Sequence, residues 1–201
     1  MNINIIKDEK IKEKMLFIKK FVSCPRTIGS IAPSSPYLTE SMLSGIEWQN
    51  IKTIAELGAG TGVFTRQIIK NMDIKSRLLV FEIEPEFRRR LCSETKMKIY
   101  NDAAKLPSII EHEGITHVDL IISSLPFTVI PREITERIIE GIVKSMRRDG
   151  VLVAYQYSLQ MRMMFEKLFD SVSIRFVSLN IPPAFVYECR GLKTSEYRKE
   201  K

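Results

Sequence analysis

An apolar run, Ile51 to Ala55, closes in Glu56-Leu57-Gly58-Ala59-Gly60-Thr61-Gly62, and a helical pattern opens near Val63. A buried strand that turns through three glycines into a helix constrains this chain more than any other stretch. Without a Cβ, the turn lets backbone N–H groups at the helix start approach a ligand. A dinucleotide turn wants G-x-G-x-x-G, which requires glycine at position 63, and that residue is Val63. The third glycine falls at 62, so the pattern is E-x-G-x-G-x-G.

Strands and helices alternate from there on. The apolar runs predict strands at about 51–56, 78–83, 97–100, 118–123, 150–157, 171–178 and 184–189. Helices are expected at about 63–71, 85–93, 104–112, 131–147 and 159–169. Ser35-Pro36 reads as an N-cap and first helical residue of a further helix, to about Gly45. This order predicts a Rossmann-like α/β fold: a seven-stranded, mostly parallel sheet with helices on both faces and a C-terminal antiparallel hairpin. Residues 1–45 form an N-terminal covering segment, 46–192 the main domain and 193–201 a polar tail.

The N-terminal segment has its own pattern. On a helix, Ile11, Met15, Ile18 and Val22 fall on one stripe, which Phe17 and Phe21 widen and lysines flank. Through Arg26 there are seven basic and three acidic residues. Such a basic amphipathic helix suits an anionic membrane surface, and equally a helix packed on its own domain. No apolar run approaches the ~18 residues of a membrane span, and no signal-peptide pattern is present. Cys24, Cys92 and Cys189 share no metal-ligand spacing, so no metal is expected, and they suit a reducing cytoplasm. His112 and His117 are expected in a surface loop without chemical roles. The formal charge of +7 calls for an anionic partner without choosing between membrane and nucleic acid.

The E-x-G-x-G-x-G pattern resembles the first motif of class I S-adenosylmethionine (SAM) methyltransferases. Glu56, Gly58, Ala59, Gly60 and Gly62 are its candidate cofactor positions. A carboxylate about 20 residues beyond the glycines can accept both ribose hydroxyls. Glu82 is preferred and Glu84 is the competitor, with Ile83 between them. Asp102, followed by Ala103, is placed to read adenine, or to cap the following helix. Ser123-Ser124-Leu125-Pro126-Phe127 ends the fourth strand, so it overlooks the transferred methyl or serves as an ordinary packed loop.

Taken together, these residues resemble the amino-methylating branch of class I methyltransferases, and within it bacterial phospholipid N-methyltransferases, relatives of rRNA adenine dimethylases. The stretches Arg26–Ser35, Ser124–Phe127 and Asn180–Tyr187 carry the closer likeness, which covers residues 15–190. Adenine dimethylases have asparagine where this chain has Ser124, and they append an RNA-binding domain. The resemblance implies SAM as cofactor and in-line attack by an amine on its methyl. Ser123 is assigned to the cofactor; Ser124, Leu125, Pro126 and Phe127 are assigned to the substrate. Tyr155 and Tyr157, or a loop carbonyl acting through water, are candidate proton acceptors, and core packing competes for the tyrosines. The implied enzyme works on the headgroup amine of an aminophospholipid such as phosphatidylethanolamine, peripherally, on the cytoplasmic face of the membrane. An rRNA adenine methyltransferase and a non-catalytic SAM-binding membrane protein are the alternatives.

Overall fold

The computed structural model describes residues 34–193. The amphipathic stripe at 11–22, most of the Arg26–Ser35 stretch and most of the polar tail lie outside those residues. In chain order the elements are α1 (Pro36–Leu43), β1 (Thr53–Leu57), α2 (Val63–Asn71), β2 (Arg77–Phe81), α3 (Pro85–Thr95), β3 (Ile99–Tyr100) and α4 (Leu106–His112). There follow β4 (Val118–Ser123), α5 (Arg132–Ser145), β5 (Met146–Gln156), α6 (Arg162–Leu168), β6 (Phe169–Val177) and β7 (Ala184–Leu192).

The seven strands form one sheet in the order β3-β2-β1-β4-β5-β7-β6. Strands β1 to β5 pair in parallel, and β7 runs antiparallel to both β5 and β6. The expected fold is therefore the observed one. Strand order reverses at β1, whose neighbours are β2 and β4, so the carboxyl ends of β1 and β4 flank the crevice where open α/β sheets bind ligands.

Alternation along the strands divides the core. Ile121 of β4 packs on one face with Leu106, Ile139 and Ile142 of α4 and α5 and Phe165 of α6. Leu120 and Ile122 point to the other face, with Leu38 and Met42 of α1, Phe64 and Ile68 of α2 and Leu91 of α3. Each fully buried Ile, Leu or Phe contributes roughly 1.5–3 kcal/mol, so both helical layers are needed. Helix α1 is also pinned by polar contacts: Arg175 Nη2 donates to Ser41 O at 2.7 Å, and Ser35 N donates to Asn180 Oδ1 at 3.1 Å. Ser35 caps α1 as expected, its Oγ accepting from Leu38 N.

Some boundaries differ from expectation. Strand β5 begins at Met146, directly after α5, instead of at 150. Asp119, buried at the amino end of β4, accepts from Lys52 N and Thr53 N and pairs with Arg147, which draws that polar stretch into the sheet. Helix α6 starts at Arg162, because a turn closed by Arg162 N on Leu159 O takes up the preceding residues. His112 is the last residue of α4 rather than a loop residue; His117 does precede β4 in a loop.

Candidate active site

Register lines up the candidate residues. Tyr100, Phe81, Leu57, Ser123 and Ala154 are paired neighbours across five adjacent strands. The next residue along each chain is therefore Asn101, Glu82, Gly58, Ser124 and Tyr155, one row along the carboxyl rim. Cofactor and substrate candidates from separate sequence motifs thus stand on a single ledge.

The glycine turn is built by backbone conformations that side chains resist. Gly58, Gly60 and Gly62 have φ of 82°, 54° and 82°. A Cβ on Gly58 would stand 2.9 Å from Leu125 Cδ2, and one on Gly62 would strike Leu91. A Cβ on Gly60 would meet nothing within 4 Å, so that position faces open space. The turn is tied to β2, with Gly58 N and Ala59 N both donating to Phe81 O.

Glu82 completes the tie. It is buried, its Oε2 accepts from Gly60 N at 2.6 Å and its Oε1 accepts from Glu84 N at 2.8 Å. Each oxygen keeps a lone pair for a further donor, and burial raises the carboxyl above its ordinary value. Glu84 stands at the N-cap of α3 with no capping bond from its side chain. The geometry thus favours Glu82 over Glu84 at the crevice. Ile83, between them, is partly exposed.

Glu56 is the most unusual group. It is wholly buried, and neither carboxylate oxygen makes a hydrogen bond of good geometry to a described residue. Burial pushes its carboxyl from 4.5 up to about 7, with Thr65 easing the shift and the Glu82 charge adding to it. A buried carboxylate without a donor calls for a cation or a strong donor beside it. Asp102 caps the short 3-10 turn at Ala103–Lys105, its Oδ1 accepting from Ala104 N at 3.0 Å, which leaves its other oxygen free of that bond.

On the far side of β1, Ser124 N donates to Leu57 O at 2.9 Å, and Ser123 Oγ accepts from Leu125 N at 3.3 Å. Ser124 Oγ is buried with no partner among the described residues. Phe127 is buried and meets Phe165 edge-on, with ring centroids 6.5 Å apart. Pro126 precedes that anchored ring, and its carbonyl accepts from Val129 N at 3.0 Å. Tyr155 and Tyr157 lie on the same face, edge to face at 5.7 Å. Burial raises both phenols above the ordinary tyrosine value, which works against either as a proton acceptor at neutral pH.

Two residues have roles that the sequence reading did not assign. Gln156, buried at the end of β5, donates from Nε2 to Leu125 O at 2.8 Å and so holds the Ser124–Phe127 loop. Asn180, also buried, ties the β6–β7 turn to the start of α1. For Gln156 an amide closing an apolar strand was the only signal, while Asn180 stood in the Asn180–Tyr187 stretch without a role; the partners of both are far away in sequence. Among the described residues no cluster of histidine, cysteine and carboxylates could hold a metal. A cleft of about 610 Å³ also opens between α1 and α2, from Ser34 and Val63 to Trp48 and Asn71.

No family model matches the chain. An ornithine lipid N-methyltransferase from Singulisphaera acidiphila is 30% identical over 191 residues, covering 92% of this chain and 100% of that enzyme. The chain belongs to this family of SAM-dependent N-methyltransferases. Solved structures agree on the fold of the methyltransferase. The N-methyltransferase NodS from Bradyrhizobium japonicum WM9, in complex with S-adenosylhomocysteine, superposes with a TM-score of 0.61 at 15% identity, over 79% of this chain and 89% of that one. A precorrin-6y C5,15-methyltransferase from Geobacter metallireducens GS-15 gives 0.57 at 15% identity, over 77% and 87%. An rRNA methylase from Streptococcus thermophilus gives 0.51 at 15% identity, over 72% and 89%. Likeness at this level concerns the fold and leaves the substrate open. The cofactor is SAM, and the residues present fit it: an open glycine turn, a buried carboxylate with lone pairs to spare at Glu82, and an unsatisfied carboxylate at Glu56.

Proposed function

We propose that this methyltransferase acts on the headgroup amine of a membrane lipid. An ornithine lipid comes first, by analogy with the relative, and an aminophospholipid such as phosphatidylethanolamine second. The observation that carries this reading is the shared ledge, where a cofactor turn and a loop with an orphaned hydroxyl meet across β1. The N-terminal basic stripe supports work at the membrane surface on its cytoplasmic side. Among the described residues no helix is long and apolar enough to cross a membrane.

Bound SAM supplies an activated methyl on a sulfonium, so the protein's task is alignment and exclusion of water. In this reading Glu82 receives the ribose hydroxyls while Gly60 N holds its carboxylate in place. Glu56 would face the ammonium of the zwitterionic amino-acid end, a cation beside which its carboxylate is favoured in the ionised form. Asp102 and the backbone at Ala103 receive the adenine edge, and Ile83 covers it. Ser124 Oγ accepts an N–H from the substrate amine, so that the nitrogen lone pair faces the methyl. Leu125, Pro126 and Phe127 wall the amine from water, with Gln156 fixing the loop. Tyr155 and Tyr157 remain protonated and line the entrance, so the amine proton leaves through solvent or a loop carbonyl.

Incubation with labelled SAM and vesicles carrying ornithine lipid or phosphatidylethanolamine, followed by mass spectrometry of the lipid, tests this. A methylated lipid is expected. SAM binding with neither lipid methylated overturns the reading, and label transferred to rRNA instead identifies the alternative.

A further inference from the structure

Exposed apolar side chains gather at one end of the molecule. Phe176, Leu179 and Ile181 are 61%, 61% and 71% exposed, and all belong to the β6–β7 hairpin around its turn. Pairing of Gln156 with Phe185 and of Val177 with Ala184 puts that turn at the carboxyl end of β5, beside the crevice. Tyr37, exposed in the first turn of α1, joins them through the Ser35–Asn180 bond. Val129 and Leu159 stand exposed on loops leaving the same strand ends, and Met163, also exposed, lies in the first turn of α6. Ile83 is on the cofactor side of this rim. Of the large apolar side chains exposed among the described residues, only Ile69 and Ile74 sit toward the opposite end.

The turn reverses the usual arrangement of a solvated loop. Its polar side chain is tucked in: Asn180 is 4% exposed, accepts from Ser35 N and donates to Pro182 O. Its apolar side chains, Leu179 and Ile181, point out, and residues 178–183 carry no charge. Chain entering this rim at Ser34 comes from a stretch with seven basic and three acidic residues, which complements anionic headgroups. An apolar, uncharged tip in a chain whose first 26 residues are net basic matches the profile of a lipid interface, apolar inward and anionic at the headgroups.

We propose that the β6–β7 hairpin tip enters the lipid interface and seats the mouth of the crevice on the bilayer. This rests on the lipid-amine reading, since such a substrate is why the crevice must meet a bilayer.

The full chain is mixed with phosphatidylcholine–phosphatidylglycerol vesicles, which offer no amine substrate, so that docking is read apart from methyl transfer. Variant I181W is probed with acyl chains brominated near the headgroup. The single native tryptophan, Trp48, lies before the amino end of β1 and serves as internal control. Bromine should quench the Ile181→Trp emission and leave Trp48 unaffected. The double variant L179S/I181S should lose roughly tenfold or more in vesicle binding, with its thermal midpoint and its affinity for S-adenosylhomocysteine unchanged. Vesicle-bound I181W quenched no more than Trp48, or a double variant that binds like the parent, overturns the proposal. So does a dimer that the double variant abolishes in the absence of quenching, which would assign the face to a second copy. Quenching without any methylated lipid sustains the docking surface and sinks the substrate reading instead.

Discussion

Replacing Glu56 by glutamine separates the stability of the empty enzyme from its hold on the cofactor. The carboxyl titrates at about 7 in the fold against an ordinary 4.5, because burial disfavours its charge. Between those values the folded state keeps a proton that the unfolded chain has released, so stability falls as pH rises. At about 1.4 kcal/mol per pH step, the contribution is about 3 kcal/mol, fully present below pH 4.5 and lost as pH rises through 7. Glu56→Gln should remove that slope. A buried unpaired amide has its own cost of about 1–3 kcal/mol, but that cost does not vary with pH. The change in stability between pH 5 and pH 8 is therefore the quantity to compare. Urea unfolding of parent and variant without cofactor, at both pH values, should show a drop about 2–3 kcal/mol smaller in the variant, since part of the contribution is already lost at pH 5. Affinity for S-adenosylhomocysteine should fall about tenfold to a hundredfold, the loss expected for a hydrogen bond to a charged group. An unchanged pH slope would mean Glu56 is not the titrating group. An unchanged affinity would mean that its empty lone pairs do not face the cofactor.

Ser124→Ala should lower kcat/KM about tenfold and leave S-adenosylhomocysteine affinity unchanged; a shared loss in calorimetry would place the hydroxyl on the cofactor instead. Gly58→Ala, at φ 82° and with its Cβ 2.9 Å from Leu125, should cost about 1–3 kcal/mol in denaturant unfolding and lower kcat by displacing the Leu125 loop. Gln156→Leu frees the Leu125 carbonyl, and the expected result is a higher KM for the amine with little change in cofactor affinity. Asp119→Ala strands two backbone N–H groups and removes one of the two carboxylates that Arg147 pairs with; about 2–4 kcal/mol of stability should disappear, measurable as a lower thermal midpoint.

What the sequence revealed was local. Helix α2 runs over Val63–Asn71 and β4 over Val118–Ser123, as the periodicity indicates, because Gly62 starts the one and an unbroken apolar run defines the other. The early part of β5 was hidden, since Met146-Arg147-Arg148-Asp149 reads as the end of a helix. Only Asp119, twenty-eight positions before Arg147, draws the segment into the sheet. The contacts of Gln156 and Asn180 were hidden for a similar reason. Their partners, Leu125 and Ser35, lie 31 and 145 positions away. The hairpin's outward Leu179 and Ile181 fall in the break between two expected strands, and only the register shows which end of the sheet they crown.

The contact between Gly58 and Leu125 has a consequence for how such enzymes diverge. The glycine turn and the Ser124–Phe127 loop approach each other closely, since a Cβ at 58 would stand 2.9 Å from Leu125 Cδ2. A bulkier residue at 125 crowds the glycine turn, and a side chain at 58 forces the Leu125 side chain to shift. New substrates are therefore easier to reach by changes at 124, 126 or the hairpin rim than at 125. Lineages that alter 125 should carry a matching adjustment in the donor turn.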